Sequence, residues 1–248
     1  MELTPAEIVS RMYAGESFPA ERAEIEKFFH ELSTEFASVA RERMEMAIQM
    51  GERPACRGKG CSWCCYDAAL ISPVESLILM WALEEKPIHE RILIKRQLAR
   101  WKVVHEATNS EVPFQTGSAD QASEEWQDMA QATVAKSVVT SMKYRTPCPF
   151  LLDGACSVYK SRPFACRGHH SLNATPDDCR DKNLGLTSVK SIDLLPLMLY
   201  VIQEISRNRL PALPAGELPT MLWHLLSSQG DLELMAALRY EDARSPRI

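Results

Sequence analysis

Apolar residues recur at three- and four-residue intervals through much of this chain, the spacing that lines one face of an α-helix. Ala20–Met50 contains no glycine or proline, and Ile25, Phe28, Phe29, Leu32, Phe36, Val39, Met44 and Ile48 follow that rhythm. The pattern predicts a long amphipathic packing helix, with Met44, Met46 and Met50 as packing residues, stopped by Gly51 and Pro54. Ser72-Pro73-Val74-Glu75 predicts the next start: Ser as N-cap, Pro at the first helical position, Glu three residues after the Ser. That helix runs to about Glu85 and ends before Pro87. A third helical pattern covers 88–107, a loop covers 109–119, and a fourth helix covers 120–142. Thr146–Lys182 has four prolines and no sustained period, which predicts irregular structure needing something to organise it. Helix returns at 188–208, and two shorter ones follow at about 217–229 and 231–243. Strand signals are nearly absent, so the expected fold is mainly α: a single helical domain over 1–248 with irregular cysteine-rich loops organised around a metal centre.

Eight cysteines fall in two groups. Four lie in ten residues (Cys56, Cys61, Cys64 and Cys65), and four lie downstream (Cys148, Cys156, Cys166 and Cys179). The windows, 56–65 and 148–186, are joined by a helical insert over 72–142. A chain of 248 residues, 46% hydrophobic and 25% charged, buries a core without covalent staples. The N-terminus carries acids and no apolar h-region, and the most apolar run, 194–202, is nine residues long, against the ~20 a membrane span needs. The expected compartment is the cytosol with no membrane role, where clustered cysteines read as metal-binding or catalytic rather than disulfide-bonded. Lys and Arg total 28 against 33 Asp and Glu, a net charge of −5, which gives no support for a nucleic-acid partner.

Cys61-x2-Cys64 is the spacing at which two thiolates from one tight turn reach the same metal or cluster. Gly58 and Gly60 let the backbone bring Cys56 in as well. Cys64 and Cys65 point apart as neighbours, so they would serve different metal ions, or one would pack as a small hydrophobe. The downstream intervals of seven, nine and twelve residues lack the second CxxC of a two-knuckle zinc site and suit an iron–sulfur cluster better, although zinc also takes irregular spacings.

Around these cysteines, Arg162 and Arg167 flank Cys166 as candidate donors to sulfur, and Tyr159 carries a hydroxyl able to do the same. His169-His170 is a candidate ligand or proton shuttle, weighed against a solvated pair. Trp63 and Phe150 are candidates to shield the site, with Phe150 better placed in the core. His30, His89, His105 and His224 fit surface or packing roles. Cys61-Ser-Trp-Cys64-Cys65 with Cys56 upstream, and Cys148-Pro-Phe-Leu-Leu-Asp-Gly-Ala-Cys156-Ser-Val-Tyr159-Lys-Ser-Arg162-Pro163-Phe-Ala-Cys166-Arg167, resemble the CxxCxxCC (YkgJ-type) cysteine-cluster family of zinc- or iron-chelating domains. Asp178-Cys179-Arg180 followed by Gly185-Leu186 is similar to a later element of that family. Four residues separate Cys56 from Cys61, where the family pattern has two. The resemblance implies metal binding through the eight cysteines, with an iron–sulfur cluster, for instance of 4Fe-4S type, as the cofactor and zinc as the alternative. It also suggests, through flagellin lysine-N-methylase, which carries a related cluster, a methylase-like enzyme. No Gly-rich fingerprint for S-adenosylmethionine accompanies it. Three functions are therefore expected candidates: an iron–sulfur protein with a redox or peptide-modifying role, a structural zinc module presenting a helical surface to a protein or peptide partner, and a cluster-dependent enzyme.

Overall fold

The computed structural model describes residues 22–55, 62–111, 124–183, 185–192, 216–228 and 231–244. Helix α1 (Arg22–Gln49) is the predicted long helix. It buries Ile25, Phe29, Leu32, Phe36 and Ala40, positions three and four apart. The stripe continues to Ala47, while Met46, Ile48 and Met50 are exposed. Their expected packing role is corrected: Ala40 and Ala47, seven residues apart, share the covered face, and these three fall away from it.

Helix α2 (Pro73–Glu84) starts with the predicted capping box: Glu75 N–H donates to Ser72 Oγ at 3.3 Å, and Ser72 N–H donates to Glu75 Oε2 at 2.7 Å. Two orphan amides of the first turn are thereby satisfied. Helix α3 (Ile88–Ala107) follows Pro87 as its spacing predicts, and α4 (Glu124–Tyr144) runs two residues past its expected end. Helices α5 (Phe164–Gly168) and α6 (Pro176–Asn183) lie inside the stretch expected to be irregular. Helices α7 (Leu218–Ser228) and α8 (Leu232–Arg244) complete the described chain. No helix among the described residues is long and apolar enough to cross a membrane.

Two clusters of apolar side chains meet on α2. One joins the buried face of α1 to Val74, Ile78 and Phe164. The larger joins Leu79, Met80 and Leu83 to Ile94 and Leu98 of α3 and to Met221, Leu222, Leu226 and Leu234 of α7 and α8. Phe150 belongs to this core, as expected. Buried Lys95 on α3 pairs with Asp231 at 2.6 Å and Glu233 at 2.7 Å, which fixes α8 to α3 with the cation compensated on both sides.

Three two-residue antiparallel pairs tie the loops together: β1 (Leu70–Ile71) with β6 (Gly216–Glu217), β2 (Leu151–Leu152) with β3 (Ala155–Cys156), and β4 (His170–Ser171) with β5 (Ser191–Ile192). The β5 pair corrects the expectation of helix from 188 onward. The backbone groups of Ser191 and Ile192 are taken by β4, leaving them unavailable to a helix there. The remainder of that expected helix, the apolar run 194–202 and most of the loop 109–119 lie outside the described residues.

Candidate metal centre

The first cysteine window is held as a 3-10 turn over Trp63–Tyr66. Cys65 N–H donates to Ser62 O at 2.9 Å, and Asp67 N–H to Cys64 O at 3.2 Å. Helix α6 anchors this turn from outside. Asn183 Nδ2 donates to Trp63 O at 2.7 Å, and Lys182 pairs with Asp67 at 3.2 Å. Trp63 lies 5.9 Å from Tyr66, ring to ring. Cys64 is exposed and Cys65 half-buried; Cys56 and Cys61 lie outside the described residues.

The second window is docked onto the first by its backbone. Cys148 N–H donates to Cys65 O at 2.6 Å. From there β2 and β3 form a hairpin whose register sets Leu151 opposite Cys156. Its two turn residues, Asp153 and Gly154, both have positive φ, 48° and 73°. An Asp-Gly pair is the sequence best suited to such a two-residue turn, whose twist matches the flanking strands. The hairpin thus returns Cys156 toward Cys148. A buried Val158 and a 3-10 turn over Tyr159–Ser161 lead through Pro163 into α5, which carries Cys166.

Helix α5 is too short to hold itself, and two contacts position it. The Phe164 ring lies 5.5 Å from Phe29 and 5.3 Å from Phe36 of α1. Its N–H donates to Glu75 Oε1 at 2.8 Å. The buried carboxylate of Glu75 therefore serves the N-termini of α2 and α5 together, and through α5 it places Cys166.

The resulting cluster is a set of five thiols that feel one another's charge: Cys64, Cys65, Cys148, Cys156 and Cys166. The neighbouring Cys65 thiol lowers Cys64 to about 7, and Cys64 together with burial raises Cys65. Burial pushes Cys148 up to about 12, and the charges of Cys156, Cys64 and Glu217 add to the shift. Burial likewise raises Cys156, and it raises Cys166 further, with Cys148, Cys64 and Cys156 contributing. Desolvation and mutual repulsion thus oppose thiolates in the interior of the cluster. Arg162 works against this, its charge favouring the thiolates of Cys64 and Cys156. Its guanidinium lies 4.2 Å above the Tyr159 ring, and its Nε is buried without a hydrogen-bond acceptor.

The remaining expected site residues land as follows. Tyr159 is 60% exposed and supports Arg162 from beneath. Among the described residues its hydroxyl meets no sulfur, so its contribution runs through the arginine. Arg167 donates Nε to Arg162 O at 2.8 Å and its terminal nitrogen to Lys160 O, bracing the loop that holds Cys166. Cys179, on α6, donates to Ser171 Oγ at 3.6 Å instead of joining the five. Ala55 N–H donates to Ser171 O at 2.9 Å, so the strand preceding Cys56 reaches the same residue. His169 lies 3.7 Å from Asp67, and burial lowers both His169 and His170.

Glu75 and Asp67 were not read as site residues from the sequence. The capping box marks Glu75 as structural, and only the approach of Phe164, 89 residues away, gives it a second task. A polar layer behind the cysteines was also missed. His105 stacks on Trp101 at 4.2 Å and is fully buried, with Ser110 Oγ at 3.0 Å, Ser141 Oγ at 3.2 Å and Thr146 Oγ1 at 3.3 Å from its ring nitrogens. Ser137 Oγ donates to Glu217 Oε1 at 2.9 Å. Between this layer and the thiols lies a cavity of about 10 Å³ lined by Cys65, Cys148, Ser141, Thr146 and Glu217, close to the size of one water.

Among the described residues, no three His, Cys, Asp or Glu side chains stand close enough together to hold a metal ion. No protein-family model, curated protein or solved structure matches the chain.

Proposed function

We propose that the chain is a cysteine-ligated metal-binding protein whose centre is an iron–sulfur cluster serving a redox role. The observation that carries the reading is the docking of two distant cysteine windows through the Cys148 N–H to Cys65 O bond, which leaves five thiols coupled in charge beside one arginine. Such a set fits a thiophilic cation-bearing group in its chemistry. Burial and repulsion disfavour the thiolates, and bound metal supplies the positive charge that reverses this. The buried Arg162 Nε also has no protein acceptor, and a ligating sulfur is a suitable one. Cys64, Cys65, Cys148, Cys156 and Cys166 would hold the group, with closure of their present spacing on binding. Cys56, Cys61 and Cys179 remain ligands proposed from the sequence pattern.

Four thiolates complete either a closed zinc site or one iron–sulfur cluster, so their number does not choose between the two. Their spacing in sequence, which lacks a second knuckle, favours iron and sulfide over zinc. When bound, a cluster supplies one-electron chemistry, with Arg162 tuning its potential through charge and hydrogen bonding. The exposed side at Cys64 offers the approach for a protein redox partner.

The test is anaerobic purification followed by an absorption spectrum and iron, sulfide and zinc analysis on one sample. Iron with matching acid-labile sulfide and broad visible absorption is expected. Stoichiometric zinc without iron overturns the cluster and leaves a structural zinc module. Cys148→Ser and Cys166→Ser should each lose the bound metal; retention of full metal content by both removes them from the ligand set.

A further inference from the structure

Beside α5, the helices α1 and α2 and the turn at Tyr159–Ser161 line an open groove of about 690 Å³. That volume lies within the about 300–1,000 Å³ typical of small-molecule sites. Its walls mix apolar side chains, Phe29, Ile78, Trp81 and Tyr159 among them, with polar ones such as His30 and Thr34, and small side chains at Ala37 and Ala82 keep it wide.

The charge on the lining points to the kind of ligand. The two acids at its rim, Glu26 and Glu85, are both engaged by Arg22, whose guanidinium also lies 5.1 Å above the Trp81 ring. Arg41 and Lys160, exposed on opposite walls, have no such carboxylate among the described ion pairs. Arg167 adds a third cation at the inner end, next to Cys166. The groove thus sets apolar surface at Trp81 and Tyr159 beside a positive open edge.

We propose that this groove binds a small amphipathic organic anion. Its aromatic or aliphatic body packs chiefly on Trp81 and Tyr159, while its carboxylate, sulfonate or phosphate lies at Arg41 and Lys160. The volume suits a molecule of drug size and excludes a two-chain lipid. The assignment rests on the helical groove alone and stands apart from the metal reading.

Two fluorescent probes of similar shape test it on the full chain: anionic 8-anilinonaphthalene-1-sulfonate and neutral N-phenyl-1-naphthylamine. Saturable binding of one equivalent of the anion is expected, unchanged after treatment with a chelator. Arg41→Glu should weaken the anion about five-fold and leave the neutral probe unaffected. Ala37→Trp and Ala82→Trp fill the groove from opposite walls, and each should abolish binding of both probes while far-UV circular dichroism stays that of the parent. Failure of the anion to saturate overturns the site, as does full binding by either folded Trp variant. Equal weakening of both probes by Arg41→Glu overturns the charge assignment.

Discussion

Glu75 is the residue on which the geometry of the cysteine cluster most directly depends, and replacing it gives a graded prediction. Its carboxylate is 1% exposed and accepts two backbone hydrogen bonds, from Ser72 at 2.7 Å and from Phe164 at 2.8 Å. Glu75→Ala strands both amides in the core. Each unsatisfied buried donor costs about 1–3 kcal/mol, so the pair costs about 4 kcal/mol before any cavity contribution. For a chain of this size about 1 kcal/mol moves the melting temperature by ~2–4 °C, which predicts a loss of about 8–16 °C. Glu75→Gln keeps the shape and one carbonyl, leaving a single stranded amide, so about half the loss is expected. The pH dependence has a definite sign. Burial raises the Glu75 carboxyl above the ordinary glutamate value, Arg167 and the backbone donors only partly offsetting it. The folded chain then holds this proton to higher pH than the unfolded chain does. The associated stability is present in full below the ordinary glutamate pKa and is lost as pH rises through the folded value. The Gln variant cannot titrate, so its deficit should be smaller at pH 8 than at pH 5. Thermal melts followed by circular dichroism measure all three quantities. A Glu75→Ala shift below about 3 °C, a Gln variant no better than Ala, or a deficit growing with pH would refute the assignment of Glu75 as the shared cap.

Burial lowers His105 to about 4 from an ordinary value of 6.5, so its neutral form contributes about 3 kcal/mol above pH 6.5 that is lost as pH falls toward 4. His105→Gln should flatten that acid limb in melts between pH 7.5 and 4.5. Gly154→Ala meets no atom within 4 Å, so only its φ of 73° is at issue; a loss of about 1 kcal/mol in urea unfolding is expected. In metal-free protein Cys64, lowered to about 7 and exposed, should be the first of the five clustered thiols to react with iodoacetamide at pH 7.5, and peptide mapping identifies it. Modification of Cys148 or Cys166 ahead of it would contradict the ordering by burial.

The helices were legible because each is specified by contacts within itself. The 88–107 pattern, the Ser72 capping box and the apolar stripe of α1 from Ile25 to Ala40 all need only residues a few positions apart. The Asp-Gly turn between Cys148 and Cys156 was equally local, and alternation too short to register, two residues on each side, hid the hairpin it makes. The last turns of α1 show the opposite limit: Ile48 continues the apolar rhythm yet is 50% exposed beside a buried Ala47, because which face is covered depends on what packs against it.

From the sequence alone came the helical class, the caps, and the two cysteine windows with their chemical character. Tertiary structure decided which thiols meet. Cys148 is bonded through its backbone to Cys65, and Cys166 is set by a carboxylate from α2 and two rings from α1, while Cys179 turns to Ser171. These are contacts between residues tens of positions apart, and spacing along a chain carries no information about them. The shift of each thiol follows from the same cause: desolvation and neighbouring charge are properties of the packed interior, and they exist only once the distant segments have come together.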